Sequence, residues 1–211
     1  SNNLSNTVIT VQAFDWYGNM SEVIRHIRMD RTAPSVTLTS DKNTLYPYSQ
    51  AVISASASDN DEIASTVFKC GDDELSLDEN GQYTFSPTEP GQQYVFTYTA
   101  VDKAGLETTR SITITVREDT IQPNVGISGV SRVFLGNSAE IKVTVSDGQT
   151  GLEAWNLKLD DGTKLISFDS SDGEIPSEYI YTFTPDSVGK YSFIAEASDK
   201  AGNVRSAVYN L

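Results

Sequence analysis

Apolar and polar residues alternate with a period of two along much of this chain. In Gln93-Tyr94-Val95-Phe96-Thr97-Tyr98-Thr99-Ala100 and in Lys190-Tyr191-Ser192-Phe193-Ile194-Ala195-Glu196-Ala197, large or apolar side chains take every second position and mostly polar ones lie between. That is the pattern of a strand with one buried face. Ser111 to Val116 repeats it, and no segment shows the 3.6-residue period of an amphipathic helix. Clusters such as Asp78-Glu79-Asn80-Gly81 and Ser170-Ser171-Asp172-Gly173 interrupt the strands at intervals of about ten residues. Short strands so spaced predict an all-β chain of sandwiches with about seven strands each. The rows put Ile53, Phe68, Tyr94, Phe96, Ile141, Trp155, Tyr191 and Phe193 in the cores.

A second period overlies the first. The pattern A-x-D-x-x-G occurs at Ala13–Gly18, Ala100–Gly105 and Ala197–Gly202, so the chain is an array of one module of about ninety residues. Two modules are complete, at residues 35–123 and 124–211. Ala51 to Asp59 matches Ala139 to Asp147, and Tyr94-x-Phe96 matches Tyr191-x-Phe193, both eight residues before the repeated aspartate. In residues 1–34, Thr7, Ile9, Val11 and Ala13 fall in register with Tyr94, Phe96, Tyr98 and Ala100. Residues 1–34 therefore read as the C-terminal hairpin of a truncated preceding module, with an apolar face, including Ile9, Val11 and Ile27, that lacks its own sandwich partners. A lone hairpin is marginal in water, so this face should lean on something.

The Asp-Arg-Thr-Ala-Pro segment ending at Pro34, its weaker copy Asp-Thr-Ile-Gln-Pro ending at Pro123, and the Tyr-x-Phe-x-x-x-Ala-x-Asp-x-Ala-Gly strand resemble bacterial immunoglobulin-like repeats of the Big type. Such repeats occur in large surface adhesins and multidomain secreted proteins, and the resemblance covers the whole chain. It implies tandem immunoglobulin-like sandwiches, without the antibody-type cysteine pair, serving as a stalk on the bacterial cell surface or outside the cell. Pro87 to Gly91 and Pro185 to Gly189 resemble the corner before the sixth immunoglobulin strand. There Tyr94 and Tyr191 either tie a hydroxyl to the backbone or simply pack.

Candidate chemistry sits where the core-facing rows end. Ile53, Ala55 and Ala57 lead to Asp59, and Tyr94, Phe96, Tyr98 and Ala100 lead to Asp102, because alternate residues share a face. Ile141, Val143 and Val145 lead likewise to Asp147, and Tyr191, Phe193, Ala195 and Ala197 to Asp199. In an immunoglobulin topology the ends of the second and sixth strands meet at one pole, which also receives the entering segment. Asp30, Asp59 and Asp102, with Asp61 beside them, should therefore converge in one module, and Asp119, Asp147 and Asp199 in the next. Grouped carboxylates repel unless a cation or hydrogen-bond donors compensate. Calcium, a hard ion served by six to eight oxygens, is one reading. Aspartates that cap turn amides are the other.

Composition narrows the rest. A net charge of −14 over 211 residues opposes nucleic acid and anionic membrane surfaces. The lone Cys70 excludes an internal disulfide and reads as a buried thiol, and no apolar run suits membrane insertion. His26, the only histidine, has no partners for a zinc site or a nucleophilic triad. Trp155 falls in a third strand, where sandwiches bury a tryptophan. Trp16 and Tyr17 occupy a turn where the other copies have Lys-Ala, and could stack on a sugar. Asp72-Asp73 and Asp160-Asp161 read as solvated turn charge rather than glycosidase acids. These features describe a non-catalytic stalk or spacer, its expected partners being neighbouring modules of the same protein and a host protein or glycan. The alternative is a carbohydrate-binding or accessory module of an extracellular polysaccharide-acting enzyme.

Overall fold

The computed structural model describes residues 5–211. The chain falls into two compact units, one formed by residues up to Asn43 with Ala51–Phe85 and Gln93–Thr115, the other by Thr44–Gln50, Ser86–Gln92 and Val116–Leu211. In chain order the strands are β1 (Ser5–Phe14), β2 (Met20–Met29), β3 (Ser35–Ser40), the two-residue β4 (Thr44–Leu45), β5 (Ala51–Ser58), β6 (Ile63–Cys70), β7 (Asp73–Leu75), β8 (Gln82–Phe85), β9 (Gln93–Asp102) and β10 (Glu107–Val116). They continue as β11 (Asn124–Gly129), β12 (Ala139–Ser146), β13 (Leu152–Leu159), β14 (Lys164–Asp169), β15 (Glu178–Phe183), β16 (Ser192–Asp199) and β17 (Val204–Asn210). A 3-10 turn, Ser170–Asp172, follows β14.

In the second unit β11-β12-β15 form one sheet and β14-β13-β16-β17 the other, seven antiparallel strands in all. In the first, β3-β5-β8 form one sheet and β10-β9-β6-β7 run side by side in the other. The rows behave as their alternation requires. Ile53, Phe68 and Phe96 are buried in one core, and Ile141, Trp155 and Phe193 in the other. The Trp155 indole donates to the Pro176 carbonyl at 3.0 Å, which satisfies its one polar group inside the core.

Three expectations need correction. Tyr94 and Tyr191 are half-buried rather than buried. Their rings pack edge-on against Phe85 and Phe183, with centroids 4.8 and 4.9 Å apart. The Tyr191 hydroxyl remains outside the core, donating to the Ser187 carbonyl at 2.9 Å and accepting from the Ser187 amide at 3.3 Å, so the corner bond is formed there. Cys70 is also only half-buried, because it closes β6 beside the turn into β7. Burial, and secondarily the Asp73 charge, pushes its thiol pKa up.

Among the described residues β1 and β2 pair only with each other. Val11 faces Val23 just as Tyr98 faces Arg110 and Ala195 faces Ala207, each first residue standing four before its turn aspartate. The hairpin has the register of the last two strands of a module. Its equivalent apolar face is open among the described residues, with Ile9 44%, Val11 59% and Ile27 41% exposed. No helix among the described residues is long and apolar enough to cross a membrane.

Candidate metal centres

The A-x-D-x-x-G pattern builds the same turn each time. Gly18, Gly105 and Gly202 adopt φ of 83°, 85° and 88°, a left-handed conformation that costs other residues a steric penalty. The Gly105 amide donates to the Asp102 carbonyl at 3.2 Å and the Gly202 amide to that of Asp199 at 3.1 Å. The turn aspartate is thereby held at the end of a core-facing row. Asp102 is 2% and Asp199 1% exposed, so these rows carry a carboxylate into the interior.

Each module gathers three such groups. One carboxylate oxygen from each of Asp30, Asp59 and Asp102 lies within 4.8 Å of the others, and the same holds for Asp119, Asp147 and Asp199. Asp30 and Asp119 come from the segments preceding β3 and β11, and the remaining four from strand ends. Asp61 is exposed and stands outside the first group; its amide donates to Asp59 Oδ2 at 2.9 Å.

Turn capping is present at all six positions. Asp30 Oδ1 accepts from the Thr32 amide and Asp119 Oδ1 from the Ile121 amide, both at 2.9 Å. Asp147 Oδ2 accepts from the amides of Gln149 at 2.9 Å and Gly151 at 2.8 Å. Asp102 Oδ1 accepts from the Leu106 amide at 2.8 Å, and Asp199 Oδ1 from those of Ala201 and Asn203 at 2.9 Å. The Thr32 amide, opposed by desolvation and aided by Asn60, holds the Asp30 carboxyl below its ordinary range. Each of these backbone bonds falls on a single oxygen of its carboxylate.

At those second oxygens the triads diverge. Asp199 Oδ2 accepts from Asn203 Nδ2 at 2.9 Å, and Asp119 Oδ2 from the Thr150 amide at 3.1 Å and hydroxyl at 2.7 Å. Asn203 Nδ2 also reaches the Asp119 carbonyl at 3.1 Å. In the first triad Asn60 Nδ2 lies 3.2 Å from both Asp30 oxygens, but Asp102 Oδ2 is buried with no hydrogen-bond partner. Asn60, Thr150 and Asn203 were not among the sequence candidates. The signal for Asn203 was the residue after the turn glycine: Asn19 and Asn203 follow Gly18 and Gly202, whereas Leu106 follows Gly105.

The remaining candidates are dispersed. His26 is exposed on β2 opposite Val8. Trp16 and Tyr17 are 99% and 91% exposed at the β1–β2 turn. Asp161 caps the Thr163 amide at 2.8 Å, a bond that lowers its pKa, and Asp72 and Asp73 lie exposed at the β6–β7 turn.

Two matches to family models account for this recurrence. Residues 30–115 match a bacterial Ig domain family and residues 122–209 a bacterial Ig-like domain family. The chain is a tandem of bacterial Ig-like domains. No curated protein matches it. Among solved structures it is similar to the fibronectin(III)-like modules of Clostridium thermocellum CbhA, with 19% identity, 83% of this chain and 92% of that one covered, and a TM-score of 0.35. It is also similar to the Yersinia pseudotuberculosis adhesin InvE, at 12% identity, 83% and 58% coverage and a TM-score of 0.30. A third is the Bacteroides ovatus glucan-utilization protein SGBP-B, solved with a mixed-linkage heptasaccharide, at 15% identity, 86% and 48% coverage and a TM-score of 0.31.

Proposed function

We propose that these Ig-like domains form a non-catalytic stalk or spacer of a bacterial cell-surface or secreted protein, adhesin-like in use, and that calcium binds at an aspartate triad of a domain pole. The observation that supports this reading is that each triad joins the segment entering a domain to the ends of two of its strands. A cation there fastens the entering chain to the sandwich, which is a structural task. Oxygen-only groups of this kind suit a hard divalent ion.

Melting the chain in calcium and in chelator tests the reading. An ion that binds only the folded form stabilises it by RT ln(1 + [L]/Kd), about 1.4 kcal/mol at tenfold over Kd. For a domain of this size that is a rise of roughly 5–10 °C. Coincident melting curves would leave the aspartates as turn formers. Glycan binding is the second reading, favoured by the bare Trp16 and Tyr17 rings beside exposed Phe14. A glycan response abolished by Trp16→Ala would establish it over the spacer.

A further inference from the structure

We infer that the two triads are unequal: Asp30, Asp59 and Asp102 take a calcium ion, while Asp119, Asp147 and Asp199 are closed by the chain's own hydrogen-bond donors. The inference rests on the calcium reading above and sharpens it to one ion per chain, at a stated place.

The first triad contains an unanswered charge. Asp102 is 98% buried by the complement of its 2% exposure, and its Oδ2 has no partner. A buried carboxylate oxygen without a donor is costly, so such atoms are rare unless an ion or water completes them. Two further buried oxygens without partners, Asn60 Oδ1 and Thr32 Oγ1, belong to the residues that donate to Asp30. An amide oxygen and a hydroxyl are hard ligands of the kind calcium accepts alongside carboxylates. No described ion pair brings a lysine or arginine to any of the three aspartates.

The second triad has its compensation built in. Asn203 supplies the side-chain donor to Asp199 Oδ2 that Leu106 cannot supply to Asp102 Oδ2, since the leucine side chain carries no polar hydrogen. Thr150 gives Asp119 Oδ2 both an amide and a hydroxyl donor. A cation entering here must first break these bonds, whereas in the first triad it finds a vacant acceptor. Two side chains, the residue after the turn glycine and Thr150, therefore separate a cation site from a closed hydrogen-bond network. The hairpin shows the closed arrangement again, with Asn19 Nδ2 donating to Asp15 Oδ2 at 2.7 Å.

The test is calorimetric titration of calcium chloride into the whole chain in chelator-stripped buffer, with a circular-dichroism melt of each variant to establish folding. The unaltered chain should bind one ion. Leu106→Asn, which imports the asparagine already used in the same turn at Asn19 and Asn203, should weaken binding by at least about tenfold. Asn203→Leu combined with Thr150→Val should raise the stoichiometry to two. Two ions bound by the unaltered chain would overturn the inequality but leave the calcium reading standing. A single ion kept by Leu106→Asn and lost by Asp199→Asn would place it in the wrong triad. No binding at all would remove both readings.

Discussion

The two aspartate triads occupy equivalent places in two related domains, yet they meet the same electrostatic problem differently. Around Asp199 the chain supplies polar hydrogens: Asn203 to the carboxylate and to the linker carbonyl of Asp119, and Thr150 to the Asp119 side chain. Around Asp102 it supplies a leucine and leaves an oxygen open. Convergence of the carboxylates is thus a property of the fold. Whether they need an external cation is decided by neighbours outside the repeated motif.

The largest effect should come from Asn203→Leu measured in chelator. It strands a buried carboxylate oxygen, which costs about 2–3 kcal/mol, and urea unfolding of the second domain should show the loss. An unchanged midpoint would mean that Asn203 contributes nothing net and that the contrast is one of geometry only. Thr150→Val keeps the volume and the amide bond but removes the hydroxyl, so a smaller loss of about 1–2 kcal/mol is expected in the same assay. Leu106→Asn runs in the opposite direction. In chelator it should stabilise the first domain by about 1 kcal/mol, the worth of one hydrogen bond, and make its melting insensitive to calcium. Asp61→Asn lies beside the first triad but outside it, and should leave stability within about 0.5 kcal/mol of the unaltered chain.

The smallest expected effect concerns the asparagine itself. Its side-chain bond to Asp15, with backbone bonds from Asn19, Tyr17 and Gly18 added, lowers the Asp15 pKa from 3.8. A carboxyl depressed in the folded state contributes stability that is present above its unfolded value and lost as pH falls through the folded one. A carboxyl-carbon NMR titration should therefore place the Asp15 midpoint below 3.8, and Asn19→Leu should move it upward. A midpoint that does not move would show that the backbone amides alone set it.

Much of this molecule was legible beforehand because period-two alternation and chain order carry the information. A row such as Phe96, Tyr98 and Ala100 must keep to one side of its strand, so Asp102 had to continue inward, and Asp199 likewise. The half-burial of Cys70, Tyr94 and Tyr191 was not legible, since it depends on how near each lies to a strand end. Asn60 and Thr150 escaped notice for a related reason. They sit in turns that carry no period, and their role exists only once the chain has folded back on Asp30 and Asp119.

By itself, then, the amino-acid sequence determined the strands, the repeated domain and, Asp61 apart, which carboxylates would meet, because these follow from side-chain periodicity and from the order of strands in a repeated module. Tertiary structure alone decided which of those carboxylates are satisfied. Hydrogen bonds require a donor within about 3 Å and in line, and that proximity arises between residues as far apart in the chain as Asp119 and Asn203.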